Sequence, residues 1–290
     1  MSQAKSGAFS VPTTTIELSV VTTTENFYGS LLIMSRGTQV GLSRKRNQRK
    51  EKRLTNKILA LDIETRPVEA YVWRLFEQNI SVDQIIREGS TICFSAQWVG
   101  EKEVFFYADW INGHEEMLKQ AHRLLSECDA VLTFNGDRFD LPKLRGEFLK
   151  HKLPPLPPLT SIDVYKTIKK MGYDSGKLAF VGPLLGVGAK VKHQGFSLWK
   201  DVLAGDSKAQ KVMEKYCRQD SVLLVKLYKR ISPYITNHPT LGKTSGLSCP
   251  VCQSENLQSR GYRRTKFFKV QRVQCQGCGS WSDGKRTKHD

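Results

Sequence analysis

Asp62 and Glu64 stand two positions apart at the end of an apolar run, Leu59-Ala60-Leu61-Asp62-Ile63-Glu64-Thr65. A strand repeats its side-chain direction every second residue, so both carboxylates point the same way. Like charges held that close resist ionisation unless a counterion joins them. Mg²⁺, which takes carboxylate oxygens, is the natural one. A solvated Asp-x-Glu pair is the ordinary alternative, and what separates the two is whether the chain supplies further ligands. Asp140, in Asn135-Gly136-Asp137-Arg138-Phe139-Asp140, falls in the first turn of an expected helix, where free N–H groups favour its charge. In isolation that describes a capping or dipole acid, and Asp137 is the expected N-cap. Asp220 follows Tyr216 by four residues on a second expected helix, so phenol and carboxylate share a face.

Four cysteines form a second constellation. Cys249-Pro250-Val251-Cys252 and Cys275-Gln276-Gly277-Cys278 are two Cys-x-x-Cys pairs separated by 22 residues. Four thiolates in that arrangement suit one tetrahedral, structural Zn²⁺. A pair of redox motifs would need a thioredoxin-like βαβ context, which the flanking sequence lacks. Residues 243–290 hold few apolar groups and need the metal in order to fold. Between the pairs, residues 262–272 alternate basic with apolar or aromatic types and read as a hairpin with one basic face. Arg263, Arg264, Lys266, Lys269 and Arg272 are the candidate phosphate contacts there, with aromatic neighbours for base stacking. A protein-docking module is the alternative use. Cys93, Cys128 and Cys217 read as ordinary buried thiols, and the whole cysteine usage fits a reducing compartment.

The elements that must position these residues follow from periodicity. Residues 57–63 form a first buried strand. An irregular insertion, helical in part, spans 66–89. Strands at 91–99 and 104–110 follow, joined by a hairpin. Residues 115–128 place Met117, Leu118, Ala121, Leu124 and Leu125 at helical spacing. A strand at 130–134, a helix at 139–150, a short strand at 160–163 and helices at 164–171, 177–185 and 206–231 complete the pattern. Asp163, at a strand end, either touches the site or caps the helix after it, and the cap is the expected role. Three antiparallel strands followed by alternating helices and strands make an α/β, five-stranded mixed sheet flanked by helices, an order that resembles the RNase H-like fold.

The net charge of +17 lies mostly at the ends: +7 over residues 39–57 and +7 over 243–290, against +3 over 58–242. A near-neutral centre with basic flanks suits a polyanion partner. Residues 1–55 are expected to be a disordered, basic extension, with the arm at 44–53 touching phosphates or simply solvated. Met34 is a candidate initiator within it. Residues 56–238 are the expected catalytic domain and 239–290 the zinc ribbon. No signal peptide or membrane-spanning run is evident, so a soluble, cytoplasmic protein is expected.

Taken in order, Asp62-x-Glu64, Asn135-Gly-x-x-Phe-Asp140 and Tyr216-x-x-x-Asp220 resemble the three motifs of the DnaQ-like, or DEDD, 3′–5′ exonucleases. Tyr216 resembles the DEDDy branch, which includes the proofreading domains of family-B DNA polymerases. Lys215 stands where the DEDDh branch would have His. Across about residues 57–290 the chain is similar to phage-borne and metagenomic RNase H-like exonuclease proteins with a C-terminal zinc ribbon. Similar segments include Lys177-Leu178-Ala179-Phe180, the stretch ending at Lys190, and Phe196-Ser197-Leu198-Trp199. The resemblance implies two Mg²⁺ or Mn²⁺ ions about 4 Å apart. Asp62 would bridge them, Glu64 and Asp220 would hold the water-activating ion, and Asp140 would support the other. Tyr216 would orient the attacking water, and Asn135 and Phe139 would contact the terminal nucleotide. The implied activity is release of nucleoside 5′-monophosphates from nucleic acid, single-stranded 3′ ends favoured and DNA favoured over RNA. A catalytically inactive binding or scaffold protein and a structure-specific endonuclease are the rivals on the same fold.

Overall fold

The computed structural model describes residues 56–76, 79–235, 238–241 and 248–289. The expected N-terminal extension, with its basic arm and Met34, lies outside them. Strand β1 (Ile58–Thr65) is the middle of a five-stranded sheet ordered β5-β4-β1-β6-β7. Its apolar run is buried on both faces, as a central strand requires. A two-stranded arm follows, β2 (Glu69–Ala70) and β3 (Ile85–Arg87), with one 3₁₀ turn at Val82–Gln84. Among the described residues, the insertion expected over 66–89 to be helical in part has that 3₁₀ turn as its helical portion and a two-stranded ribbon beside it. Trp73, Leu75 and Phe76 are exposed rather than packed, so no apolar face holds a helix there.

Strands β4 (Thr91–Trp98) and β5 (Phe105–Ala108) complete the antiparallel half of the sheet. The chain turns into the short α1 (Asp109–Asn112) two residues earlier than periodicity suggests, and α2 (His114–Glu127) follows. All five apolar residues of the α2 stripe are buried, each large one contributing about 1.5–3 kcal/mol. Strand β6 (Ala130–Thr133) pairs parallel with β1, and β7 (Thr160–Asp163) pairs parallel with β6. Between them lies α3 (Asp140–Lys150), whose Pro142 sits in the first turn, where no backbone hydrogen bond is lost.

Helices α4 (Val164–Ile168), α5 (Leu178–Leu184), α6 (Phe196–Leu203) and α7 (Ser207–Ile231) follow. Periodicity did not single out α6; only eight residues long, it buries Leu198 and Val202 with Met213 and Cys217 of α7. The sheet is covered on both sides. Leu59, Leu61 and Ile63 pack toward α2 and α3, whereas Ile58 and Ala60 pack toward α4, α5 and α7. Asp62 and Glu64 share the parity of the second set, so the α7-side face of β1 changes from apolar to acidic as the strand runs on.

Residues 248–289 form a three-stranded antiparallel sheet, β10-β9-β8, from β8 (Leu257–Arg264), β9 (Phe268–Cys275) and β10 (Trp281–Lys288). Val270, Val273 and Cys275 of central β9 are its buried residues. No described helix is long and apolar enough to cross a membrane.

Candidate active site and cysteine cluster

The acidic end of β1 extends past its neighbour β6. Ala60 is the last β1 residue paired with β6, opposite Leu132. Ile63, beyond it, keeps an N–H that donates to Asp140 Oδ1 at 3.2 Å. That bond brings the start of α3 beside Asp62. The connection that delivers α3 there is tight. Asn135 has φ +69°, and its N–H donates to Asp163 Oδ1 at 2.7 Å. A Cβ on Gly136 would lie 2.4 Å from the Thr133 side chain, so only glycine fits. Asp163 caps α4, accepting from Tyr165 N at 3.1 Å. Asp137 is not the N-cap of α3. Phe139 holds that place, and Asp137 instead accepts from Ser161 at 2.5 Å and pairs with Lys166.

Helix α7 supplies Tyr216 and Asp220. Asp206 caps it by accepting from Lys208 N at 2.7 Å. Small polar residues fix how it lies on the sheet: Ser95 Oγ of β4 meets Cys217 O at 2.7 Å and Ser221 Oγ at 2.6 Å. These contacts flank Asp220 and turn the Tyr216–Asp220 face toward β1.

One oxygen each from Asp62, Glu64 and Asp220 lies within 4.8 Å of the other two. Asp140 is outside that trio but close enough to oppose ionisation of Asp62. Asp62 Oδ2 and Asp220 Oδ1 are buried and have no hydrogen-bond partner among the described residues. Burial, then the charges of Glu64, Asp220 and Asp140, hold the Asp62 carboxyl well above the usual range. Burial and Asp220 push Glu64 up to about 8. Burial raises Asp140 to about 6 against the bond from Ile63 N–H. Burial raises Asp220 too, opposed by Lys190. Orphaned, crowded, hard oxygen donors whose ionisation is penalised are the donor set a divalent cation satisfies.

Lys190 is the residue that sequence reasoning passed over as a site member. Its Nζ lies 2.6 Å from Asp220 Oδ2 and 3.0 Å from Tyr216 Oη, and 5.0 Å from the Tyr216 ring centre. Burial alone would lower its pKa, but Asp220 and Tyr216 raise it, so it stays charged. Tyr216 is held protonated by burial and by Glu64 and Asp220. The ring of His193 meets the Tyr216 ring edge-on at 4.8 Å. A stretch ending in Lys190 was visible in the sequence, yet nothing in its spacing ties it to a helix that starts seventeen residues later.

The four cysteine sulfurs of the C-terminal sheet lie within 4.8 Å of one another. Cys249 and Cys278 are 3.6 Å apart, and Cys252 and Cys275 3.5 Å. A tetrahedron with Zn–S bonds of 2.3 Å has edges of about 3.8 Å, so the cluster needs little adjustment to close on a metal. Backbone N–H groups of Cys252 and Gly277 already point at Cys249 Sγ and Cys275 Sγ. Burial opposes ionisation of Cys249, but the Cys252 N–H and the Ser280 hydroxyl bring it down to about 7. Burial pushes Cys252 up to about 12. Four thiolates together thus need a cation.

The basic residues of this sheet do not form one face. Register puts Arg264 opposite Lys269, and Arg263 opposite Val270 on the other side. Arg263 forks onto Asp283, at 3.1 and 2.5 Å, and its charge is spent there. Arg272 lies over the Trp281 ring and donates to Arg260 O, Lys269 lies over Tyr262, and Lys266 over Phe267. Phe139 is 43% exposed at the head of α3.

No curated protein matches the chain. The RNase_H_2 family model, of the RNase H superfamily, matches residues 85–232. The match takes in Asp140, Lys190, Tyr216 and Asp220, and stops short of β1 and of the cysteine cluster. That span is half of the sequence and carries four of the five strands of a nuclease-type fold, and by it the chain belongs to the RNase H superfamily.

Proposed function

We propose that the protein is a metal-dependent 3′–5′ exonuclease of the DEDDy type. It hydrolyses nucleic acid from single-stranded 3′ ends and carries a zinc ribbon that adds nucleic-acid contacts. The observation that carries this reading is the convergence of the Asp62, Glu64 and Asp220 carboxylates beside Tyr216, with Asp62 Oδ2 and Asp220 Oδ1 buried and unpartnered among the described residues. Asp62, Glu64, Asp220 and Asp140 would hold two Mg²⁺ or Mn²⁺ ions, which when bound supply an activated water and neutralise charge on the phosphate. Asp140 commits one oxygen to the β1 backbone, which fixes α3 against the site. Tyr216, kept neutral, orients the attacking water by hydrogen bonding and does not act as the base. Lys190 holds the Tyr216 hydroxyl and the Asp220 carboxylate in place. Four thiolates from Cys249, Cys252, Cys275 and Cys278 would hold one Zn²⁺ that ties the ribbon together. The proposed organisation is a catalytic domain over 56–238 and a ribbon over 239–290.

The test is digestion of 3′- and 5′-labelled single- and double-stranded DNA and RNA with Mn²⁺, Mg²⁺ or EDTA. Stepwise loss from the 3′ end, abolished by EDTA and reduced at least about a thousandfold by Asp62→Ala, is expected. Turnover retained by Asp62→Ala would refute the metal assignment. Cleavage of circular single-stranded DNA would turn the reading to an endonuclease.

A further inference from the structure

Beside the carboxylates, a cleft of about 910 Å³ lies between the β2–β3 arm and α3. Two of its lining residues adjoin the proposed active site along the chain: Arg66 stands two residues beyond Glu64, and Phe139 directly precedes Asp140. Five Lys and Arg residues line it, against three acids.

Two of the three acids are already engaged. Glu147 is buried and accepts from Thr91 N and Thr91 Oγ1, each at 2.6 Å, with His114 Nε2 at 2.9 Å. Glu88 pairs with Lys150 at 2.6 Å. Asp109 is partly desolvated, and burial pushes its carboxyl up. The cations are less satisfied. Arg66 and Arg87 share the single carboxylate of Glu69, at 3.7 and 3.5 Å. Among the described residues, Arg138 and Lys143 have no carboxylate within ion-pair distance. Lys143 reaches across to the arm, where a Cβ on Gly89 would lie 3.5 Å from its Nζ.

A surplus of fixed positive charge facing a cleft calls for an anion with more than one charge. The chain leads from the cleft's Phe139 straight into Asp140, of a site whose donors suit phosphodiester chemistry, and the exposed ring of Phe139 lines the cleft. Charged groove plus aromatic face is the pattern that tracks a single strand, with phosphates on the cations and an unpaired base on the ring. We propose that this cleft is the track for the backbone of a single nucleic-acid strand running from the cleaved end, with phosphates on Arg138 and Lys143. The assignment of an end rests on the exonuclease reading; the binding it asserts does not need turnover.

The test uses the full chain carrying Asp62→Ala, so that the strand survives, and a fluorescent oligothymidylate titrated over a range of salt. Adding Arg138→Ala with Lys143→Ala is expected to weaken binding about tenfold at 0.15 M salt. It should also flatten the plot of log K against log salt by about 1.4, at 0.7 per lost contact on a single strand. Arg138→Lys with Lys143→Arg keeps both charges and should keep the slope, which separates lost contacts from lost folding. Lys211→Ala with Lys215→Ala, exposed on α7 away from the cleft, should leave the slope alone. An unchanged slope in the Arg138/Lys143 double alanine overturns the track, as does equal flattening by the Lys211/Lys215 pair. Equal losses for a blunt duplex overturn its single-strand character. A wild-type chain that binds without hydrolysing refutes the exonuclease reading instead.

Discussion

Glu64 illustrates how one residue ties stability to pH. Burial and Asp220 push its carboxyl to about 8, whereas in the unfolded chain it titrates near its ordinary value of about 4.3. The native state therefore binds the extra proton between those values. The stability it confers is complete below the unfolded pKa and is lost as pH rises toward about 8. Asp140, raised to about 6, acts in the same direction over a narrower window. In EDTA, the melting temperature should fall across that range. Mn²⁺ should flatten the fall, and so should Glu64→Gln. A flat profile in EDTA would show that the carboxylates are not crowded as described. Lys190 is the built-in partial remedy. Lys190→Met leaves Asp220 buried without a counter-charge and should cost about 3 kcal/mol or less in EDTA. Adding Mn²⁺ should close most of the gap to wild type by calorimetry. A gap that ignores Mn²⁺ would reduce Lys190 to a packing residue.

At the scale of elements, the site depends on how closely α7 lies against β4. Ser95 and Ser221 meet at 2.6 Å in a fully buried contact, which only small side chains allow. Ser221→Leu forces the helix outward. It should cost about 1–3 kcal/mol in urea unfolding, and it should weaken Mn²⁺ binding at least tenfold by carrying Tyr216 and Asp220 away from β1. Asp206→Ala removes the cap at the far end of the same helix. It should cost about 1 kcal/mol with Mn²⁺ binding unchanged. Equal metal affinity in both variants would mean that the register of α7 does not set the site. The elements themselves were unevenly legible. The α2 stripe and β1 could be read because burial imposes a period on them. Of the helix expected in part over 66–89, a 3₁₀ turn at Val82–Gln84 is what forms; Trp73, Leu75 and Phe76 are apolar yet exposed, so composition there does not report packing. Helix α6 escaped because two buried side chains are too few to establish a period.

The whole molecule joins two structures with different sources of stability. The α/β sheet buries apolar side chains on both faces, whereas β8–β10 bury Val270 and Val273 and rely on the cysteine cluster at one end. On the proposed zinc site, Cys252→Ser should lower zinc content by metal analysis from an expected one atom per chain. It should also open residues 248–289 to limited proteolysis while leaving the larger sheet resistant. Protection unchanged in the zinc-depleted variant would show that the small sheet holds itself together.

Order, type and short-range spacing carried much of the candidate site. The two-residue period of a strand puts Asp62 and Glu64 on one face, the helical repeat aligns Tyr216 with Asp220, and paired Cys-x-x-Cys motifs bring four sulfurs within reach of one ion. The first two are relations between neighbours that backbone geometry alone enforces, as is the spacing within each Cys-x-x-Cys pair, whereas packing of β8–β10 brings the two pairs together. Contacts between distant segments were decided by packing. The Ile63 N–H freed where β6 ends draws in Asp140. The Ser95–Ser221 contact sets α7 against the sheet, and Lys190 comes to rest between Asp220 and Tyr216. Asp283 takes the charge of Arg263, which its sequence surroundings had offered to phosphate. The cleft between the arm and α3 exists only because both leave the same end of the sheet, and no local period records where two chain segments diverge.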